Sequence, residues 1–262
     1  MSALITILLP FFNEEGWIGT TLDSLAAQND RRFCLLLLDN GSTDRGRDEA
    51  RRHLAALPDI TADILSVPTP GKVNALAAGL AMVRTPFVAI CDADTTYPPE
   101  YVANCLAMFT AHPEAAAVMA IDLYHPAHSR AATRRIDRIL RKVRRFRNQC
   151  HAGGYAQSYR TEALVAAGGF DLRRWPFVLE DHEIVHRVMR FGTVIYDHGH
   201  HCFPSQRRSD RRRVSWTWWE RLLYRHMPRK RMDWFFYDFL GHRLARRNAY
   251  STALRAKDWT CP

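Results

Sequence analysis

No apolar run in the 262 residues approaches the eighteen or so that a membrane-crossing helix needs, so the sequence predicts a chain that does not thread a bilayer. Its start, Met1 to Thr6 (MSALIT), lacks the basic region and cleavage site of a secretory signal, and a cytoplasmic protein is the expectation. The six cysteines, Cys34, Cys91, Cys105, Cys150, Cys202 and Cys261, show no C-x-x-C spacing; this argues against a disulfide framework or a zinc site and for reduced thiols. Acidic residues are in the minority, 27 against 37 lysines and arginines. The resulting charge of +10 favours partners rich in phosphate or other anions: nucleotides, lipid headgroups or nucleic acid.

What the chain has in quantity is apolar sequence, 47% of the residues, enough to bury a full core. Short apolar runs at Leu4–Leu9, Phe33–Leu38, Ile60–Val67, Phe87–Cys91 and Ala116–Ile121 alternate with stretches of helical character. One of these, Lys72 to Val83, carries Leu76, Leu80 and Val83 on one face and follows the start signal Pro70-Gly71. The alternation predicts right-handed βαβ crossovers and a mostly parallel, Rossmann-like sheet flanked by helices, with ligands gathering at the carboxyl ends of the strands.

Three of those ends are polar in the same way. The first strand runs into Pro10-Phe11-Phe12-Asn13-Glu14-Glu15, the second into Asp39-Asn40-Gly41-Ser42-Thr43-Asp44, and the fourth into Asp92-Ala93-Asp94. Asn13, Asp39 and Asp44 also suit turns and helix caps. Carboxylates crowded on one rim nevertheless call for cations or hydrogen-bond donors opposite them, because like charges raise one another's pKa.

In order and spacing, PFFNEE at 10–15, LLDNGSTD at 37–44, GKVNALAAGL at 71–80, DAD at 92–94, GGF at 168–170 and ED at 180–181 resemble the motifs of a family 2 glycosyltransferase of the GT-A fold. The resemblance covers roughly residues 4 to 200. It implies a D-x-D motif that holds a divalent cation, Mn²⁺ or Mg²⁺, against the diphosphate of a nucleotide-sugar donor, with Asp94 as metal ligand and Asp92 as a ribose or metal contact. Oxygen ligands suit such hard ions. It also implies that Pro10, Phe12, Asn13 and Glu14 contact base and ribose, that Asp39 accepts from a base imide, which favours UDP, and that Lys72 lies near ribose or phosphate. The carboxylate of the ED pair, Asp181 first and Glu180 second, is implied as the base that deprotonates the acceptor hydroxyl and gives inversion. Both residues equally suit the start of a helix, where acids complement the dipole.

Downstream, Thr193 to Tyr196 reads as a strand leading to His198, Gly199, His200 and His201. If extended, it turns His198 and His200 to one face, and a late histidine serves some GT-A enzymes as a further metal ligand; hydrogen-bonded surface or core histidines are the alternative. Arg207 and Arg208 are candidates to clamp the departing diphosphate. Processive synthases of the family carry Q-x-x-R-W here and then membrane spans, whereas this chain has Gln206-Arg207-Arg208-Ser209-Asp210, so one sugar per encounter is expected.

The expected organisation is a GT-A catalytic domain at 1–205, with a nucleotide-sugar-binding half at 1–129 and an acceptor and catalytic half at 130–205, then a basic, aromatic, helical tail at 206–262. Arg130 to Arg147 holds nine lysines or arginines against one aspartate, with an apolar edge of Ile136, Ile139, Leu140 and Val143. The tail mixes tryptophans and phenylalanines with Arg225, Arg229, Lys230 and Arg231. Both regions suit the inner face of an anionic membrane and a lipid-linked hydroxyl acceptor; tail helices packed on the domain, an anionic glycan or a protein partner fit equally. A nucleic-acid-binding protein would use the same arginines and rings but leaves the two acidic motifs unexplained. A sugar nucleotidyltransferase would carry a Gly-rich basic loop where Pro10–Glu15 stands.

Overall fold

In the computed structural model, residues 2–55, 57, 59–207 and 216–252 are described. Arg208, and with it the second candidate diphosphate clamp, lies outside them, as does Cys261. The first four apolar runs become β1 (Ile5–Phe11), β2 (Phe33–Asp39), β3 (Ala62–Ser66) and β4 (Phe87–Ile90), all parallel, in the spatial order β3-β2-β1-β4. Helices α1 (Ile18–Ala26), α2 (Gly46–Ala55) and α3 (Lys72–Met82) make the crossovers. β1 and β2 are almost wholly buried, as expected for strands covered on both faces. Pro10, which has no N–H to donate, falls beyond the last β1–β4 pair, Leu8 with Ile90, where the ladder has already parted. Gly79 lets α3 settle closely on the sheet: a β-carbon there would stand 2.8 Å from Leu38 and 3.2 Å from Leu8.

The second half adds β5 (Thr95–Thr96), α4 (Tyr101–Ala111), β6 (Ala115–Asp122), the basic helix α5 (Arg130–Arg145), β7 (Gln157–Arg160), α6 (Thr161–Ala166), α7 (Glu180–Val188) and β8 (Thr193–Pro204). The full order is β3-β2-β1-β4-β7-β6-β8-β5. β7 lies antiparallel between β4 and β6, and β5 is antiparallel to β8, so the sheet is parallel-dominated with an antiparallel insertion. The carboxyl ends of β1, β2, β4, β6 and β8 share a rim with the start of β7, as the register Ile90 with Gln157 requires.

The tail packs on this body. Helix α8 (Trp218–His226), a π-helical turn at Trp234–Leu240 and α9 (Gly241–Arg246) build a second apolar cluster with Trp175 and Val178. Phe235, Phe236 and Leu240 are completely buried in it. Each such side chain contributes about 1.5–3 kcal/mol. Thr217 and Glu220 form a capping box at the start of α8, and the buried Glu220 carboxylate also accepts from Arg243 (2.8 Å) and Arg247 (3.1 Å). Among the described residues no helix is long and apolar enough to cross a membrane.

Candidate active site

β4 delivers the D-x-D motif to the rim and the loop behind it is locked. The Asp92 N–H donates to the Tyr97 hydroxyl (3.0 Å), which donates in turn to the Tyr155 carbonyl (3.0 Å), and Thr21 donates to the Ala93 carbonyl (2.9 Å). Asp92 Oδ1 accepts from Lys72 Nζ at 2.5 Å. Asp94 is held from β8: its carbonyl accepts from the Ser205 N–H (2.9 Å) and its Oδ2 from Arg207 Nε (3.2 Å). The Arg207 guanidinium also pairs with the buried Glu14 carboxylate and lies 4.8 Å over the Trp17 ring. One arginine therefore joins the first-strand loop to the D-x-D loop.

The nucleotide-side loops are braced against each other. Asn13, with φ at +54°, accepts from the Thr43 N–H (2.8 Å), and its own N–H donates to Ser42 Oγ. Phe12 lies beside it at the same rim. Asp39, almost fully buried, accepts from the Ser42 N–H (2.9 Å) and from Arg47 (3.0 Å). This is the turn-forming role open to an aspartate there, and with about four lone-pair sites the carboxylate can accept further bonds. Asn40 accepts from the Gly71 N–H (2.7 Å) and so fixes the start of α3, from which Lys72 extends.

Glu180 and Asp181 open α7. Leu179 before them adopts φ +67°, a costly conformation for a branched side chain, and its carbonyl accepts from the N–H groups of His182 and Glu183. The loop is held by surrounding bonds: Val178 N–H to the Ala249 carbonyl, and the Trp175 indole to the Val178 carbonyl. A buried Glu183–Arg187 pair at 2.7 Å, with Tyr237 donating to Glu183, anchors the helix; breaking such a pair costs about 3–5 kcal/mol. Asp181 accepts from the His182 N–H (2.9 Å), and Gln157 at the start of β7 donates to its carbonyl (3.2 Å). Gly154 sits between the two motifs. A β-carbon there would lie 3.5 Å from Lys72 Nζ and 3.6 Å from Asp181 Cβ.

Lys72 thus faces carboxylates from two directions. Burial opposes its charge, but Asp92, Glu180 and Asp181 outweigh that and hold its pKa above the usual lysine value. Glu180 behaves oppositely: burial, then the neighbouring Asp181, push it up to about 7 despite Lys72. It lines a small cavity with Val73, Phe170, Trp175 and Ile184, whereas Asp181 lies against Gly154. Because folded Glu180 holds its proton more tightly than the unfolded chain, the stability it lends is present below pH 4.5 and is lost as pH rises to about 7. Urea unfolding of Glu180→Gln across that window should show a shallower fall in stability with pH than the parent. An unchanged slope would remove Glu180 as the cause.

The two histidines weighed as further metal ligands, against surface or core histidines, are not gathered with Asp94. Between the pairs Met119 with Tyr196 and Ile121 with His201, β8 spends five residues on two of β6, and this irregularity breaks the expected alternation. His198 is thrown to solvent beside Asp197. His200 is buried under Tyr101, ring centroids 4.6 Å apart, and burial pushes it down to about 3. Among the described residues no group of three or more histidine, cysteine, aspartate or glutamate side chains is gathered in metal-binding array. Asp92 and Asp94 remain as two oxygen donors, a set that fits Mn²⁺ or Mg²⁺ with other positions filled by diphosphate and water.

Gly154, Tyr97 and Trp17 had no place in the motif reading. The signal available was Gly153-Gly154 just before a short strand, and a tyrosine and a tryptophan a few residues beyond two of the acidic loops.

A curled α/β sheet with this acidic rim defines a GT-A glycosyltransferase, and comparison with known proteins agrees. Residues 6–166 match the family described as glycosyl transferase family 2, and the chain belongs to that family. An uncharacterised glycosyltransferase of Mycobacterium tuberculosis is 34% identical over 90 residues, 34% of this chain and 36% of the relative. Undecaprenyl-phosphate 4-deoxy-4-formamido-L-arabinose transferase of Shewanella sediminis is 29% identical over 106 residues, 39% of this chain and 32% of that one. The matches thus span about a third of these curated relatives. Among solved structures, a mannosyltransferase from Pyrobaculum calidifontis in complex with GDP-Man and Mn²⁺ superposes with a TM-score of 0.65 at 20% identity, over 85% of this chain and 60% of that one. TarS 1–349 of S. aureus in complex with UDP-GlcNAc gives 0.62 at 15% identity, over 98% and 76%.

Proposed function

We propose that this glycosyltransferase moves one sugar from a nucleotide diphosphate sugar, a UDP-sugar first, to a hydroxyl acceptor, with inversion and with a divalent cation, on the cytoplasmic side. The observation that carries the reading is the position of Lys72, bonded to Asp92 and acted on by the charges of Glu180 and Asp181, with Gly154 close to both Lys72 and Asp181. Donor phosphate and acceptor hydroxyl would meet there.

In this reading Asp181 takes the hydroxyl proton as the acceptor oxygen bonds to the anomeric carbon. The bond from that carbon to the diphosphate oxygen breaks on the opposite face, so an α-linked donor gives a β-linked product. Glu180, lining a small pocket with Val73, Phe170 and Trp175, is the second candidate. Lys72 and Arg207 supply positive charge for the departing diphosphate. The cation, held by Asp94 and Asp92, would offset charge on the leaving group when bound. Pro10, Phe12, Asn13 and Glu14 line the base and ribose side. The acceptor is a hydroxyl on a lipid carrier or a glycan precursor.

The choice of uracil rests on Asp39, since similar folds hold either GDP-Man or UDP-GlcNAc. Asp39→Ala should weaken UDP binding by about 1–3 kcal/mol in calorimetry, with the melting temperature recorded alongside because Arg47 loses its partner. Unchanged affinity would remove Asp39 from the site. The reading as a whole is tested by following UDP release from a panel of UDP-sugars with and without Mn²⁺ or Mg²⁺. Release from GDP-sugars alone would move the base assignment.

A further inference from the structure

Helix α5 is fastened by its apolar edge. Ile136, Ile139, Leu140 and Val143 pack with Ile121 and Leu123 of the body, and Ser129 caps the helix start (3.1 Å to the Ala132 N–H). Its charged face is turned outward, with Arg138, Arg141 and Lys142 exposed. α8 is tied to the chain leaving α5: Gln149 donates to the carbonyls of Tyr224 (2.8 Å) and Arg225 (2.5 Å), and the Arg225 guanidinium stands 5.6 Å over the Phe146 ring. The two helices therefore pool their cations. Lys142 feels partial burial and then Arg225, Arg138, Arg221 and Arg135, which together lower its pKa below the usual lysine value.

Crowding like charges opposes folding unless an anion relieves it. Helix α8 carries a second unusual feature one turn from Arg221. Trp218 and Trp219, in the first turn of α8, are each 67% exposed, with ring centroids 4.5 Å apart in an edge-on pair. The capping box and the buried Glu220 with its two arginines hold that turn rigid. Large rings on a rigid, cation-lined surface match the boundary between lipid headgroups and acyl chains.

We propose that the joint face of α5 and α8 is where this protein lies on an anionic phospholipid bilayer, with Trp218 and Trp219 at headgroup depth and Arg138, Arg141, Lys142, Arg221 and Arg225 on the lipid phosphates. A bilayer is preferred to nucleic acid because the edge-on pairing already covers a ring face that a base would need for stacking. The face adjoins the acceptor side. Tyr224 of α8 accepts the Cys150 N–H (2.9 Å) and reaches His182, the neighbour of Asp181. The proposal rests on the transfer reading for the biological use of that proximity, a lipid-borne acceptor.

The test is co-sedimentation of the full chain with vesicles of phosphatidylcholine, alone or mixed with phosphatidylglycerol, with UDP calorimetry on the same preparations. Binding should require phosphatidylglycerol and fall with salt. Arg138→Glu with Lys142→Glu should weaken it by about a hundredfold or more. Trp218→Ser with Trp219→Ser should weaken it by roughly tenfold or more. UDP affinity should be unchanged in both variants, and neither should melt below the parent; the charge-reversed variant should melt at or above it, because it relieves the crowding around Lys142. Equal binding to neutral vesicles, no vesicle binding, or intact binding by both variants overturns the proposal. Tighter binding to an oligonucleotide at the same salt does so too, and gives the face to nucleic acid. Vesicle binding by a chain that neither binds nor turns over UDP- or GDP-sugars would sustain the docking face and sink the transfer reading; the reverse result would sink only the face.

Discussion

Asp181→Asn is expected to cut transfer by roughly a hundredfold or more while nucleotide affinity and melting temperature stay near those of the parent. Asparagine keeps an oxygen for the His182 N–H that Asp181 now holds at 2.9 Å, and it suits a helix start nearly as well. What it loses is the basic oxygen needed only while the acceptor proton moves. The two acids have different surroundings: Asp181 lies against Gly154, and Glu180 lines a small pocket with Val73, Phe170 and Trp175. Transfer rate, UDP-sugar affinity and thermal unfolding of one variant decide the matter. Near-normal transfer would move the base to Glu180 or elsewhere, and a large drop in melting temperature would make the residue structural.

Asp94→Asn should remove most turnover and weaken UDP binding only when Mn²⁺ or Mg²⁺ is present. The conservative change leaves the loop in place, because the Ser205 N–H bonds the backbone carbonyl and the remaining side-chain oxygen can still accept from Arg207. A cation held by Asp94 and Asp92 would lose one of two protein charges. Calorimetry with UDP in Mn²⁺ and in excess chelator reads that loss directly. If the parent enzyme is equally active in chelator, the metal role falls.

Much of the first half was legible because β1, β2 and β4 each appear as an apolar run ended by a polar turn. Leu4–Leu9, Phe33–Leu38 and Phe87–Cys91 became central strands, and Lys72 begins α3 as the Pro70-Gly71 signal suggested. The basic segment from Arg130 is one helix, as its apolar edge suggested. β7 escaped notice because Gln157-Ser158-Tyr159-Arg160 has no apolar periodicity; it is a strand only because β4 and β6 flank it. His198 and His200 misled because a period of two holds only while register holds. The link from Arg207 to Glu14 spans 193 positions and has no local signature. Tail packing is similar. Phe235 and Phe236 could equally have faced lipid until Trp175 and Val178 were seen to complete their cluster.

The insertion of β7 beside β4 also sets an order of assembly. β1 to β4 are joined by successive short crossovers, so their contacts can form as the chain leaves the ribosome, while Phe87 must wait for Arg160 to complete its other edge. The seat of Asp181 waits longest, because Val178 is fixed by Ala249 and Trp175 by the rings of the tail. The rim with Asp39 and Asp92 is therefore synthesised first and has its local partners first, whereas the loop presenting the acid has its partners only once the tail is made. A nascent chain arrested before its tail emerges would hold the first rim without the second: on the proposed reading, the nucleotide side of the site without its base.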